Sequence, residues 1–151
     1  MSRVTKQELD AMAVADSLRP TLLRLGRELR QEKIAGVSPH QVGLLIAIKY
    51  SPGVTVGQLA AEERVSTAAM SKRVSRLERD GLVARTQSTA DRRCVGLTLT
   101  EDGQRTLRRV RSRRTAWLAS RLGALTPAEL AAVGAAAAPL ARLVEREEVR
   151  A

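Results

Sequence analysis

The chain has almost no aromatic side chains. Its 151 residues include no phenylalanine, one tyrosine (Tyr50) and one tryptophan (Trp117). Proteins that bind single-stranded nucleic acid or RNA commonly stack unpaired bases on aromatic side chains. The shortage disfavours these modes of recognition and favours double-stranded DNA where the partner is a nucleic acid.

Cysteine and long apolar stretches are scarce as well. Cys94 is the single cysteine, which excludes an internal disulfide and a multi-cysteine metal site. No apolar run approaches the roughly 18 residues that span a membrane, and no signal-peptide pattern opens the chain. We therefore expect a soluble, cytoplasmic protein without a membrane partner, a metal or a cofactor.

Catalytic groups are equally sparse, and an enzyme is not expected. The sequence shows no Ser/His/Asp arrangement, no glycine-rich phosphate loop and no metal-ligand cluster. His40, the single histidine, is interpreted as structural or at most as pocket-lining. Arginines beside Cys94 raise the alternative of a redox sensor, but a passive strand residue is the favoured interpretation.

The chain does carry a large positive charge. Its 26 lysines and arginines outnumber 16 aspartates and glutamates, which gives a formal net charge of +10. Such an excess predicts a polyanionic partner, with nucleic acid first and an anionic membrane surface second. The length suffices for one domain with a hydrophobic core.

Long amphipathic helices are predicted at both ends of the chain. Apolar residues recur at helical spacing through residues 5–32, where Pro20 predicts a kink or a break. Near the other end, a helix from about 100 to 122 is followed by one from 126 to about 148, with an irregularity at Pro139. The pattern thus places helical segments on both sides of the central part.

One domain of residues 1–151 has too little sequence to bury these terminal helices against itself. We expect residues 5–34 and 101–148 to act as dimerisation helices that pack on the same helices of a second subunit. Monomeric helical hairpins are the alternative. Residues 38–103 lie between these segments and form the DNA-binding part.

Capping signals place three helices in the DNA-binding part. Ser38-Pro39-His40-Gln41 and Thr55-Val56-Gly57-Gln58 each open a helix with a Ser/Thr-x-x-Gln capping box. Ser66 caps a third helix that runs to Arg79, and Gly81 fits the left-handed position after its end. Two consecutive helices of this kind, the second one basic, predict a helix-turn-helix.

The helix that begins after Ser66 has two different faces. At about 100° per residue, Met70, Val74 and Leu77 share the face that must pack on the domain. The opposite face mixes small residues, hydroxyls and cations, which can approach a major groove closely. The residues that we expect to contact DNA are Ser66, Thr67, Ala68, Ser71, Lys72, Ser75 and Arg76. Lys72 or Arg76 would reach base edges; a merely solvated basic face is the alternative.

Two strands, over residues 82–87 and 94–99, predict a hairpin that follows the helix-turn-helix. Asp91, Arg92 and Arg93 lie where it must turn, and we expect all three to form a DNA-binding wing. Asp91 would fix the loop while one arginine enters a minor groove, and the sequence leaves open which arginine it is. An ordinary polar turn is the alternative.

These motifs resemble those of the MarR family, the multiple-antibiotic-resistance regulators. The likeness rests on Leu59-Ala60, Val65-Ser66, Arg79-Asp80-Gly81-Leu82-Val83, Asp91-x-Arg93 and Leu97-x-Leu99-Thr100-x-x-Gly103. It covers nearly the whole chain, and Arg113–Leu118 with Leu125-Thr126-Pro127 is similar to actinobacterial members.

The resemblance implies a mainly α fold with a small β-hairpin wing, namely a winged helix-turn-helix with long N- and C-terminal dimerisation helices. It also implies a dimeric transcription regulator, usually a repressor, often released from DNA by a small molecule. Effectors in this family are commonly aromatic acids or phenols, and Tyr50 and Trp117 are the aromatic residues available to line a pocket.

One arginine cluster allows three interpretations. It comprises Arg105, Arg108, Arg109, Arg111, Arg113 and Arg114. The cluster is a solvated face, a phosphate-contacting flank near the wing, or one wall of an anion-binding pocket.

We therefore expect a sequence-specific, double-stranded-DNA-binding regulator, a homodimeric repressor of a nearby operon that responds to a small aromatic or anionic effector. Its operator would be a pseudo-palindrome with half-site centres about 10 bp apart. The alternative is a non-specific nucleoid-type DNA-binding protein without a ligand response.

Overall fold

Six helices and one two-stranded hairpin make up the described part of the chain. The structure is a computed structural model that describes residues 5–32, 34, 36–87 and 94–145. In chain order these residues form α1 (Lys6–Gln31), α2 (Pro39–Tyr50), α3 (Val56–Glu62), α4 (Thr67–Arg79), β1 (Val83–Gln87), β2 (Val95–Leu99), α5 (Glu101–Leu122) and α6 (Pro127–Arg142). The mainly α class with a small β-hairpin is confirmed.

Four of the helices begin with a capping box. In each, the hydroxyl of a Ser or Thr accepts a hydrogen bond from the backbone N–H of the residue three positions later. The side chain of that later residue in turn accepts a hydrogen bond from the backbone N–H of the Ser or Thr. The pairs are Thr5 with Glu8, Ser38 with Gln41, Thr55 with Gln58, and Thr126 with Glu129. The hydrogen bonds from the threonine backbone and hydroxyl hold the pKa of Glu8 and of Glu129 below the usual value.

The terminal helices differ from expectation in two respects. α1 stays helical from Lys6 to Gln31 through Pro20, so of the predicted kink or break the break is wrong, because a long helix tolerates the loss of one N–H donor. α6 continues through Pro139 but ends at Arg142 instead of about 148. Its last turn tightens there, since the Leu143 N–H donates to the Leu140 carbonyl at 3.2 Å. Residues 146–151 lie outside the described part.

The hydrophobic core lies among α2, α3, α4 and the hairpin. The side chains with the least exposure are Leu44, Leu45, Ile48, Leu59, Met70, Val74, Leu77 and Leu97. Those from α4 are the three that helical spacing predicts to face inward, and this prediction is confirmed. The core is aliphatic, as the near-absence of aromatic residues requires, and it fixes α4 with its other face outward.

The base of the hairpin is held by the segment between α2 and α3. The Gly53 N–H donates to the Leu97 carbonyl, and the Leu97 N–H donates to the Val54 carbonyl, both at 2.9 Å. A Cβ on Gly96 would lie 2.6 Å from the Gly53 carbonyl oxygen, so only glycine permits this approach. Leu97 is buried, whereas Val95 on the same face of the strand is 41% exposed because the core ends before it.

Two compact units divide the chain, residues 1–114 and 115–151, and the boundary falls within α5. Neither α1 nor α6 contains a buried residue. Apolar side chains that stay exposed on α1 include Leu9, Met12, Val14, Leu22, Leu23 and Leu25. No described helix is long and apolar enough to cross a membrane.

Candidate nucleic-acid interface

α3 and α4 form the helix-turn-helix that the capping signals predict. The two helices are joined by Glu63–Ser66, and the Ser66 hydroxyl accepts the Ala69 N–H at 3.1 Å to cap α4. At the other end of α4, Gly81 has a φ of +71° and its N–H donates to the Glu78 carbonyl at 2.9 Å. Both ends of the helix are thus closed by local hydrogen bonds.

The outward face of α4 presents the predicted contact residues to solvent. Ser66, Thr67, Ala68, Lys72 and Arg76 are exposed, whereas Ser71 and Ser75 are half-buried on its flank. Within the described residues, neither Lys72 nor Arg76 has a hydrogen bond or an ion pair from its side chain. Both cations are available for an external anion, and their contact with DNA stays a prediction.

The wing is described only as far as its strands. β1 and β2 pair antiparallel in a register that runs from Val83 opposite Leu99 to Gln87 opposite Val95. The predicted wing residues Asp91, Arg92 and Arg93 lie outside the described residues. Cys94 is exposed just before β2.

An ion pair that the sequence analysis missed links the hairpin to α4. The Arg85 Nε in β1 lies 2.9 Å from both carboxylate oxygens of Glu78 in α4. About a third of each side chain is exposed, so the contribution to stability is modest. Its effect is geometric, because it fixes the first wing strand against the helix that would enter the groove.

The hairpin meets α5 at a junction of four residues, Gly81, Leu82, Thr100 and Gly103. Their contacts explain why the Leu97–Gly103 motif contains Thr100 and Gly103. The Thr100 hydroxyl donates to the Gly81 carbonyl at 2.6 Å and accepts the Gly103 N–H at 3.0 Å. The Thr100 N–H also donates to the Leu82 carbonyl at 3.1 Å. A Cβ on Gly103 would overlap that same carbonyl oxygen. The motif therefore needs a hydroxyl at position 100 and no side chain at position 103.

A groove of about 1260 Å³ lies along α5 within residues 1–114. Of the arginine cluster, Arg105, Arg108, Arg109 and Arg113 line it, together with the carboxylates Asp80 and Asp102. These carboxylates offset part of the positive charge.

Most of the groove arginines already have a partner. Arg105 pairs with Asp102 at 2.5 Å, Arg113 with Glu32 at 3.4 Å, and Arg109 donates to the Thr106 hydroxyl at 3.2 Å. Arg108 has no partner for its side chain in the described chain.

Neither aromatic residue presents a buried, unoccupied ring. Tyr50 is 77% exposed, with the Lys49 ammonium 5.6 Å from its ring centre. Trp117 is half-buried, and the Arg121 guanidinium stacks 3.6 Å from its ring centre. His40 is exposed in the first turn of α2.

Comparisons with known proteins agree with this architecture. The sequence model of the MarR family matches residues 35–93. The HTH-type transcriptional repressor MdtR of Bacillus subtilis (strain 168) is 31% identical over 141 residues, which cover 93% of this chain and 87% of that protein. The crystal structure of a putative transcriptional regulator from Pseudomonas aeruginosa matches with a TM-score of 0.72 and 32% identity, over 95% of this chain and 100% of the other. Streptococcus pneumoniae FabT shares the fold, with a TM-score of 0.53 and 23% identity over 93% of this chain and 98% of its own.

A helix-turn-helix followed by a paired β-hairpin defines a winged-helix DNA-binding protein. The chain belongs to the MarR family of transcriptional regulators. This confirms the resemblance that the sequence motifs carry. Of the similar proteins described above, MdtR is named a transcriptional repressor and the Pseudomonas aeruginosa protein a putative transcriptional regulator.

Proposed function

We propose that the protein is a homodimeric repressor that binds a pseudo-palindromic operator near its own operon. The observation that carries the proposal is the outward face of α4, where Lys72 and Arg76 are exposed on a helix anchored by fully buried residues. Support comes from MdtR, which is named a repressor. FabT, which shares the fold, was crystallised in complex with DNA.

The proposed DNA contacts divide by element. From α4, Lys72 and Arg76 read base edges, while Ser66, Thr67 and Ser71 hold phosphates and Ala68 and Ser75 permit close approach. In the wing, Asp91 orders the turn and either Arg92 or Arg93 enters the minor groove. The Glu78–Arg85 ion pair supports this division, because it holds the wing strand and α4 in one arrangement.

Dimerisation is proposed through residues 5–34 and 101–148, which flank the DNA-binding part at 38–103. Its support is the exposure of apolar residues along the whole of α1, a helix without a buried residue. Soluble helices seldom leave so many large apolar side chains in water. A two-fold dimer would present two α4 helices to half-sites about one helical turn apart.

We expect Arg93→Ala to weaken operator binding by more than roughly tenfold, because a minor-groove arginine is lost. Lys72→Ala and Arg76→Ala should weaken it too, and each should lower the salt dependence of the affinity. Fluorescence anisotropy with a labelled duplex measures both quantities. Arg24→Ala, an exposed arginine of α1, is the matched control and should bind as the wild type does. An unchanged affinity for both Arg93→Ala and Arg92→Ala would show that the wing assignment is wrong.

A non-specific nucleoid-type binder is the second candidate, favoured by the net charge of +10. Such a protein would not need a groove-sized helix whose exposed cations, Lys72 and Arg76, make no ion pair with a described residue. The two functions differ in how strongly binding depends on base sequence.

The groove along α5 is the proposed site for an anionic effector. Its support is Arg108, a lining cation without a described partner, beside further arginines. A small aromatic carboxylate that binds there would alter the position of α5, which follows the hairpin directly through Thr100 and Gly103.

Benzoate is a suitable probe for this site, and it should weaken operator binding by the wild type. Arg108→Gln should abolish that response while keeping the affinity without benzoate. Arg111→Gln, an exposed α5 arginine outside the groove lining, should respond as the wild type does. Titration of the DNA complex followed by anisotropy measures the response. Loss of affinity in Arg108→Gln without benzoate would instead identify a phosphate-contacting flank.

A further inference from the structure

Arg64, in the turn between α3 and α4, adopts a conformation that normally belongs to glycine. Its φ is +53°, and it is the sole non-glycine residue with a positive φ in the described part of the chain. The left-handed region brings the Cβ of an L-residue too close to its own backbone, which costs free energy that glycine avoids. The presence of an arginine instead of a glycine at this position therefore needs an explanation.

The helix-turn-helix imposes this conformation through hydrogen bonds. The Arg64 N–H donates to the Ala61 carbonyl at 3.2 Å, and the Val65 N–H donates to the Ala60 carbonyl at 3.0 Å. This is the Schellman motif, which places a left-handed residue immediately after the helix cap.

The end of α4 shows the same motif with glycine. There the Gly81 N–H bonds to the Glu78 carbonyl and the Leu82 N–H to the Leu77 carbonyl, both at 2.9 Å. Gly81 has a φ of +71°. The same chain therefore uses glycine at one Schellman position and a long cation at the other, although the backbone geometry is alike.

The two backbone hydrogen bonds hold the turn, but no contact of the Arg64 side chain within the described chain offsets the strain at this residue. Its side chain is exposed and makes no hydrogen bond or ion pair with a described residue, although Glu62 and Glu63 precede it directly. The arginine therefore does not stabilise the turn through its side chain. The backbone hydrogen bonds would form equally well with glycine, so they do not explain an arginine, whose side chain is free to bind a partner outside the chain.

The position of Arg64 indicates what that partner is. It lies two residues before Ser66, the cap of α4, and two residues span at most about 7 Å. The N-terminal end of the second helix is the end that enters the groove in a helix-turn-helix. Between Lys49 and Lys72, Arg64 is the single lysine or arginine, so a phosphate beside α3 or the first turn of α4 can be neutralised by no other cation of that segment.

We propose that Arg64 binds a DNA phosphate at the edge of the groove that α4 enters, and that this contact maintains an arginine at a position better suited to glycine. The inference rests on the proposed DNA-binding role of α4. Arg64 would position the helix without reading sequence, because phosphates carry no base identity.

Arg64→Gly tests this, since it should change stability and affinity in opposite directions. Relief of the left-handed strain should raise the melting temperature, while loss of the phosphate contact should weaken DNA binding by roughly tenfold. The plot of log affinity against log salt concentration should become less steep by about one, the change expected when one phosphate contact is lost. Arg64→Lys should retain most of the affinity and a melting temperature near that of the wild type.

Both a selected operator and a random duplex should be measured by anisotropy. The proposal requires the same fold loss for each, because the contact is to the backbone. It is overturned if Arg64→Gly binds with wild-type affinity and salt slope, or if it weakens the operator alone. A wild type that binds both duplexes equally, with Arg64→Gly weakening both, would contradict the sequence-specific function and leave this contact supported.

Discussion

Gly103→Ala is expected to destabilise the protein by about 3 kcal/mol or more, which corresponds to a fall of roughly 10 °C in melting temperature. The added Cβ would overlap the Leu82 carbonyl oxygen, which is a backbone atom, and the position of a Cβ is itself fixed by the backbone. No side-chain rotation relieves such an overlap, so the hairpin must move away from α5. That movement would also break the hydrogen bonds of Thr100 to Gly81 and Leu82.

The matched control is Gly43→Ala in α2. Nothing lies within 4 Å of a Cβ built at Gly43, and the residue is exposed within a helix. Alanine is the better helix former, so this variant should gain up to about 1 kcal/mol. Thermal and urea unfolding followed by circular dichroism measures both variants. Equal stability of Gly103→Ala and the wild type would contradict the described contact between the hairpin and α5.

The second large effect concerns the exposed apolar side chains of α1. We expect the double substitution Leu22→Glu with Leu25→Glu to convert the proposed dimer into a monomer and to weaken operator binding by at least roughly a hundredfold, because the two DNA-binding parts would no longer bind as one unit. The two side chains are 46% and 38% exposed, so the charges do not enter the described core. Sedimentation equilibrium and anisotropy measure the two effects.

Arg24→Glu is the control for this pair, since it changes the charge of an exposed, polar position on the same helix. It should remain dimeric, and the far-UV circular dichroism of all variants should match that of the wild type. A double variant that stays dimeric would place the subunit interface elsewhere. A monomeric wild type would favour the alternative in which the terminal helices form helical hairpins within one subunit.

Patterns with a local cause were readable from the sequence. Met70, Val74 and Leu77 repeat at the helical period on a helix whose other face is polar, so their burial followed from spacing. The capping boxes at Ser38 and Thr55 were equally plain, because donor and acceptor are three residues apart.

Features that depend on tertiary proximity were not readable in this way. Val95 belongs to an alternating strand, but the pattern does not show where the core ends along that strand. The Glu78–Arg85 pair joins a helix to a strand, and no periodicity signals it. A glycine at position 64 would have indicated a left-handed turn, but the residue there is an arginine. The sequence therefore did not predict the positive φ of Arg64.

The central claim is that the protein selects one DNA sequence with two symmetric half-sites. A random duplex library selected against the full-length protein, followed by anisotropy at physiological salt, tests it directly. We expect an enriched pseudo-palindrome with half-site centres about 10 bp apart, bound about 1000-fold more tightly than random DNA. No enriched sequence, with an affinity ratio near one, would contradict it and favour the non-specific binder.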